Sequence, residues 1–163
     1  MSAWPQLEVR RATRRGFVPA AAQLRSWAAA ALGARARGAE LALLVVGRTR
    51  SRTLNRRYRG RDKATNVLSF PAPVLPAAVA PASGRGASPR PLGDIVICPE
   101  VLRREARAQG KRERDHWMHL FIHGVLHLVG HDHIHEDEAL RMERLERRLL
   151  RRFGVGDPYR LRA

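Results

Sequence analysis

Three histidines, His123, His127 and His133, stand in the segment HGVLHLVGHDH. The first two are four residues apart, so on a helix they stack on one face and preplace two imidazoles. A third ligand has to come from off the helix, because later turns along the same axis travel away from the ion. Gly130 supplies the exit: a left-handed residue there ends the helix and folds the chain back toward the approach of His133. Three neutral imidazoles around a zinc ion leave the fourth tetrahedral position to water, the arrangement of a catalytic rather than a structural site. A lone histidine would read as a satisfied core or surface residue, but here the pair, the glycine and the third histidine agree.

The remaining histidines read differently. His119 lies one turn before His123 on the same face and His116 another turn back, which suits outer-shell or exposed roles. His131 and His135 flank His133, and either could replace it as third ligand. Asp132 is a candidate acceptor for a ligand N–H, or simply a turn residue.

The same spacing marks the metzincin proteases, HExxHxxGxxH, so the expected element is a metzincin-like zinc-binding helix. In those enzymes a glutamate follows the first histidine and acts as general base; here Gly124 holds that position and cannot take a proton. A protease would have to recruit its base elsewhere, for instance from Glu136 or Asp137. Attack on phosphorus asks less of a carboxylate and more of positive charge around the transition state.

Positive charge is plentiful: 31 Lys and Arg against 15 Asp and Glu give a formal net charge of +16, which favours polyanionic partners, nucleic acids first. Only Lys63 and Lys111 are lysines, and the chain is also alanine-rich, so biased codon composition is the competing explanation. The 163 residues, 44% of them hydrophobic, suit one compact domain spanning 1–163. Cys98 is the single cysteine, which rules out an internal disulfide and points to a reducing, cytoplasmic setting. The opening MSAWPQLEVRRATRRG has no apolar signal core, and no apolar run is long enough to cross a bilayer.

Patterning predicts the elements that must hold the histidines. Strands are expected at Leu7–Val9, Leu41–Val46, Asn66–Phe70 and Leu92–Cys98. Helices are expected from Pro19 to Ala31 with Gly33 as stop, from a cap at Thr49 or Ser51 to Gly60, and from Pro99 to Gly110. A long helix capped by Asp115 runs to Val129, and a last one spans Asp137 to Phe153. Ala139, Met142, Leu145, Leu149 and Phe153 form that last helix's apolar stripe, with acids at its start and arginines at its end as the helix dipole favours. Those arginines, Arg147, Arg148, Arg151 and Arg152, read as a solvated face or, with RNA as ligand, as phosphate contacts. Between Pro71 and Pro91 the prolines, alanines and glycines read as a mobile loop. The expected class is α+β, a small mixed sheet of about four strands covered by helices.

Three segments together resemble the YbeY-type metallo-endoribonucleases: the histidine block, LNRRYRGRDKATNVLSF over Leu54 to Phe70, and LGDIVIC over Leu92 to Cys98. The resemblance covers most of the chain, leaving out the N-terminal tail and the proline-rich loop. It implies a zinc-dependent, single-strand-specific endoribonuclease of small-subunit rRNA 3′-end maturation and late ribosome quality control, working with the ribosome or ribosomal proteins, away from membranes. Arg59 matches the family's functional arginine, and its guanidinium could grip a phosphate bidentately; on its own it would be a surface residue. Asn66, Ser69 and Asp94 fall inside the signatures, where capping and strand-end hydrogen bonds explain them equally well. His131 departs from the aromatic or apolar residue common there. A ribosome-binding assembly factor with a structural metal is the non-catalytic alternative.

Overall fold

The computed structural model describes residues 4–73, 90–131 and 134–160. Strand β1 (Gln6–Arg11) leads through α1 (Ala21–Leu32) and a short 3-10 turn (Gly33–Ala36) to β2 (Ala39–Val45). Helix α2 (Arg48–Arg59), β3 (Val67–Pro71) and β4 (Arg90–Ile97) follow, then α3 (Pro99–Ala108), α4 (Glu113–Leu128) and α5 (Glu136–Arg152). The four strands form one mixed sheet in the order β1-β2-β4-β3, with β1, β2 and β4 parallel and β3 antiparallel on the edge beside β4. The α+β class and the mixed four-stranded sheet are therefore as the sequence predicts.

Strand side chains alternate between faces, and the two faces are covered unequally. Leu41, Leu43, Val45, Ile95 and Ile97 join α1 and α4 in the main core, around the fully buried Trp117, Phe121, Ile122 and Leu126. Leu68 and Val96 point the other way, into a small cluster with Val46, Cys98 and Val101 against which Leu54 of α2 packs. Helix α4 is thus nearly enclosed. The indole of Trp117 donates to the Phe17 carbonyl at 3.1 Å, so even its polar edge is satisfied inside.

Several local expectations need correction. Helix α4 starts at Glu113, so Asp115 lies in its first turn and helps through the helix dipole instead of capping it. Neither Thr49 nor Ser51 caps α2, which follows Gly47; Ser51 is buried within the helix, its hydroxyl donating to the Thr65 carbonyl and accepting the Thr65 N–H, both at 2.9 Å. Pro71 closes β3, and Arg90 and Pro91 open β4, so the segment read as a loop is shorter at both ends. Proline is tolerated at strand ends, where a missing N–H costs the ladder little. The rest of that segment, 74–89, lies outside the described residues. Phe153 is exposed, not part of a buried stripe, because α5 ends at Arg152 before that turn is covered. Among the described residues, no helix is long and apolar enough to cross a membrane.

Candidate metal centre

Between His116 and Leu128, every α4 residue is buried except His119, His123 and His127. Their four-residue spacing makes one half-buried line along a helix otherwise sunk in the core. At its C-terminal end the helix is turned off by Gly130, whose φ of 92° is left-handed. The Gly130 N–H reaches the His127 carbonyl at 3.2 Å and the His131 N–H reaches Leu126 at 3.1 Å, the paired bonds of a Schellman closure. Asp132 and His133 lie outside the described residues, His131 is half-buried at the closure, and His135 is exposed just before α5.

The nitrogens of the first two predicted ligands converge. His123 Nε2 and His127 Nε2 are 3.1 Å apart, and the two rings meet edge-on with centroids 4.6 Å apart. On its other side, His123 Nδ1 lies 2.6 Å from Glu146 Oε1. An ionised carboxylate only accepts, so in the neutral ring Nδ1 carries the proton and Nε2 turns a lone pair toward His127.

Glu146 is the residue that reading the sequence missed. It projects from α5 with no exposed surface, and its Oε2 takes His119 Nε2 at 2.8 Å and the hydroxyl of Tyr159. Burial alone would raise this carboxyl, but the hydrogen bonds from His119 and His123 win and hold it at about 2. Burial lowers the His119 imidazole despite the opposing pull of Glu146, and burial followed by the Glu146 carboxylate raises the Tyr159 phenol. The ligand atoms of His119, His123 and Glu146 all lie within 4.8 Å of one another, a set that could hold a metal ion. One signal for Glu146 was available: it stands one turn after Met142 and one before Leu149 and Leu150, a charge inside the face that α5 buries.

A Cβ on Gly124 would come within 3.0 Å of Ile95 Cγ2 and 3.2 Å of Ser69 Oγ, so the protease glutamate is absent from a position that faces the sheet at close quarters. Ser69 also donates to the Gly124 carbonyl at 3.2 Å, tying β3 to α4 beside the histidines. Asn66 instead bridges to Glu105 of α3 at 3.0 Å, and Asp94 is exposed. Arg59 is exposed at the last position of α2, a helix that packs on the sheet face opposite α4. No hydrogen bond or ion pair joins it to the histidines among the described residues. Its neighbour Tyr58 packs edge-on against Phe70 at 5.1 Å, which sets this end of α2 beside the edge strand β3.

Comparison with known proteins gives a consistent result. The profile of the Endoribonuclease YbeY family matches residues 14–154. The protein named Endoribonuclease YbeY in Alkalilimnicola ehrlichii is 51% identical over 152 residues, covering 92% of this chain and 87% of its own. Its namesake in Halorhodospira halophila is 48% identical over 144 residues, covering 88% of this chain and 90% of its own. A Thermotoga maritima protein solved in solution is similar in fold, with a TM-score of 0.53 at 18% identity over 95% of this chain and 99% of that one.

Proposed function

Because this chain belongs to the YbeY endoribonuclease family, we propose that it is a metal-dependent endoribonuclease whose ion is held by His123, His127 and His133. The observation that supports the metal is the 3.1 Å approach of two imidazole Nε2 atoms. Two nitrogens bound at ~2.0–2.1 Å to a tetrahedral zinc ion stand about 3.3 Å apart, so this pair fits zinc with only a small adjustment. His133 joins on sequence spacing alone. Glu146 is better suited to orienting than to ligation: its oxygens already accept from His119, His123 and Tyr159, and a cation among them would have to displace those bonds.

When bound, zinc supplies Lewis acidity toward a water molecule and a phosphoryl oxygen. The chain's own residues do the rest. Glu146 fixes the tautomer and plane of the His123 ring, and Gly130 turns the chain so that its C-terminal flank can approach the pair. Arg59 is the proposed grip on the scissile phosphate, where a planar guanidinium offers two parallel donors. The net charge of +16 favours RNA over peptide, and glycine at 124, where even a Cβ would press on Ile95 and Ser69, supplies no protease base. On the family resemblance, the substrate is single-stranded RNA at the 3′ end of small-subunit rRNA, in cytoplasmic ribosome maturation and quality control.

The test joins metal analysis of purified protein to cleavage of single-stranded and duplex RNA. Wild type should retain zinc and cut the single strand. The His127→Ala variant should lose both by more than the ~10–100-fold expected for disturbing an outer-shell partner. Zinc-free protein that cuts at the wild-type rate would overturn the assignment.

A further inference from the structure

Beyond the metal centre, at the opposite end of the histidine line, α4, α5 and the chain after α5 enclose a cavity of about 1080 Å³. Gly154, with φ 76°, closes α5 by the same paired bonds that Gly130 gives α4, from Gly154 N–H to Arg151 and from Val155 N–H to Leu150. The chain therefore doubles back, and residues 155–158 and Arg160 wall the cavity. Lys111 Nζ pins this tail through the Pro158 carbonyl at 2.6 Å, and Arg147 holds it through Asp157 at 3.1 Å. Seven of the lining residues are Lys or Arg and only two are Asp, so the enclosed field is strongly positive.

The cations are arranged, not merely abundant. Arg144, Arg148 and Arg151 stand at i, i+4 and i+7 on α5, a single helical stripe with a step of about 6 Å between the first two, comparable to the spacing of phosphates along a nucleic-acid strand. None of the three has an ion-pair partner among the described residues. The helix dipole explains a cation in the last turn of α5, but Arg144 is two turns earlier. It also disfavours Lys111 and Arg112, which line the cavity just before the positive end of α4. At the floor, both ring nitrogens of the buried His116 lack a hydrogen bond among the described residues, Nε2 lying 3.5 Å from a Glu105 oxygen. The wall shared with the metal centre is His119, which touches Glu146 and whose ring centroid is 6.1 Å from that of His123.

The geometry points to this cavity as the seat of the flanking backbone of the substrate strand, with Arg144, Arg148 and Arg151 holding successive phosphates of single-stranded RNA whose scissile bond lies at His123 and His127. This rests on the endoribonuclease reading and extends it to a second, non-reacting contact surface. A volume near or above the ~300–1,000 Å³ of small-molecule pockets suits a segment of polymer, and exposed guanidinium groups repeating along one helix face suit repeated phosphates better than the irregular carboxylates of an acidic protein.

Binding is measured in chelator, so that no strand is cut, with single-stranded RNAs of about 4 and about 16 nucleotides across a salt series. The triple variant Arg144→Ala, Arg148→Ala, Arg151→Ala should weaken the long strand by ~10-fold or more and make its salt slope shallower by about 2, that is ~0.7 for each of three lost phosphates. The short strand should bind as before, and the Arg→Lys triple should restore most of the loss, which separates charge from folding. Equal length and salt dependence in wild type and alanine variant would overturn the proposal, as would polyglutamate that displaces the long RNA at matched charge. Wild-type protein with metal that cuts no RNA, while the length-dependent loss persists, would sink the catalytic reading and leave this surface standing.

Discussion

Helix α4 carries four histidines along one side, and its two pairs are in opposite situations. His116 and His119, nearer the N-terminus, face carboxylates: Glu105 at 3.5 Å from one, Glu146 at 2.8 Å from the other. His123 and His127 face each other, and among the described residues His123 also meets a carboxylate, Glu146, at 2.6 Å. Residue type is the same in both pairs and all four rings lie on one side of the helix, three residues apart in the first pair and four in the second, so neither type nor helix face distinguishes a ligand from its support. What distinguishes them is which nitrogen is engaged, and that is decided by α3 and α5, elements distant in sequence. Glu146 is the hinge of the comparison because it serves one histidine of each pair through different oxygens.

The largest effect expected of a change between the pairs is therefore at Glu146. Its amide variant, Glu146→Gln, keeps the shape but loses the charge that fixes the Nδ1–H tautomer of His123. Zinc affinity should fall ~10–100-fold, the range for outer-shell carboxylates, while the fold persists. Competition against a chromogenic chelator reads this directly. If affinity instead collapses as completely as in His127→Ala, then Glu146 is itself a ligand alongside His127.

Gly124 offers a smaller perturbation that should separate the pairs by position. It lies between His123 and His127, and a methyl there presses on Ile95 Cγ2 at 3.0 Å and Ser69 Oγ at 3.2 Å. Overpacking of this kind costs ~1–3 kcal/mol, against about 1 kcal/mol regained from helix propensity. Gly124→Ala should lose up to about 2 kcal/mol in denaturant unfolding and weaken zinc binding a few-fold, since the C-terminal half of α4 must lift from the sheet. An alanine variant as stable as wild type with unaltered zinc affinity would show that β3 and β4 yield freely, and that the seating of α4 does not set the histidine geometry.

The sequence made one side of this centre legible and hid the other for a physical reason. A ligand pair at i and i+4 and a glycine helix stop are local devices, so His123, His127 and Gly130 could be read directly from spacing. The strand pattern was equally local, and the four expected strands are all present, in a mixed sheet. Glu146 depends on how α5 lies against α4, and Tyr159 on the return of the chain after Gly154; no periodicity encodes either. The apolar pattern of α5 runs through Phe153, which is exposed, and past Glu146, a charged residue that is fully buried. Hydrophobicity predicts burial only when a polar group has no partner waiting inside, and here three hydrogen bonds offset the desolvation of the carboxylate. The cap assigned to Asp115 failed more simply, because helices are extended or shortened by a turn according to what packs at their ends.

The smallest expected effect tests the other pair. Burial would raise the Glu105 carboxyl, but the His116 ring and the Asn66 amide outweigh it and leave the group below its ordinary 4.5. A carboxyl that is more acidic in the folded chain stabilises it above the unfolded value, and that contribution drains away as pH falls below 4.5 toward the folded value. Glu105→Gln removes the charge at every pH. The stability difference between wild type and variant should therefore be greatest near neutrality and shrink below pH 4.5, in metal-free protein followed by denaturant unfolding. His123 and His127 are untouched, so zinc affinity at neutral pH should be that of wild type. A difference that stays constant through the acid range would mean that Glu105 acts through its shape and its hydrogen bond from Asn66 rather than by charge, and the His116 end of the line would then owe nothing to electrostatics.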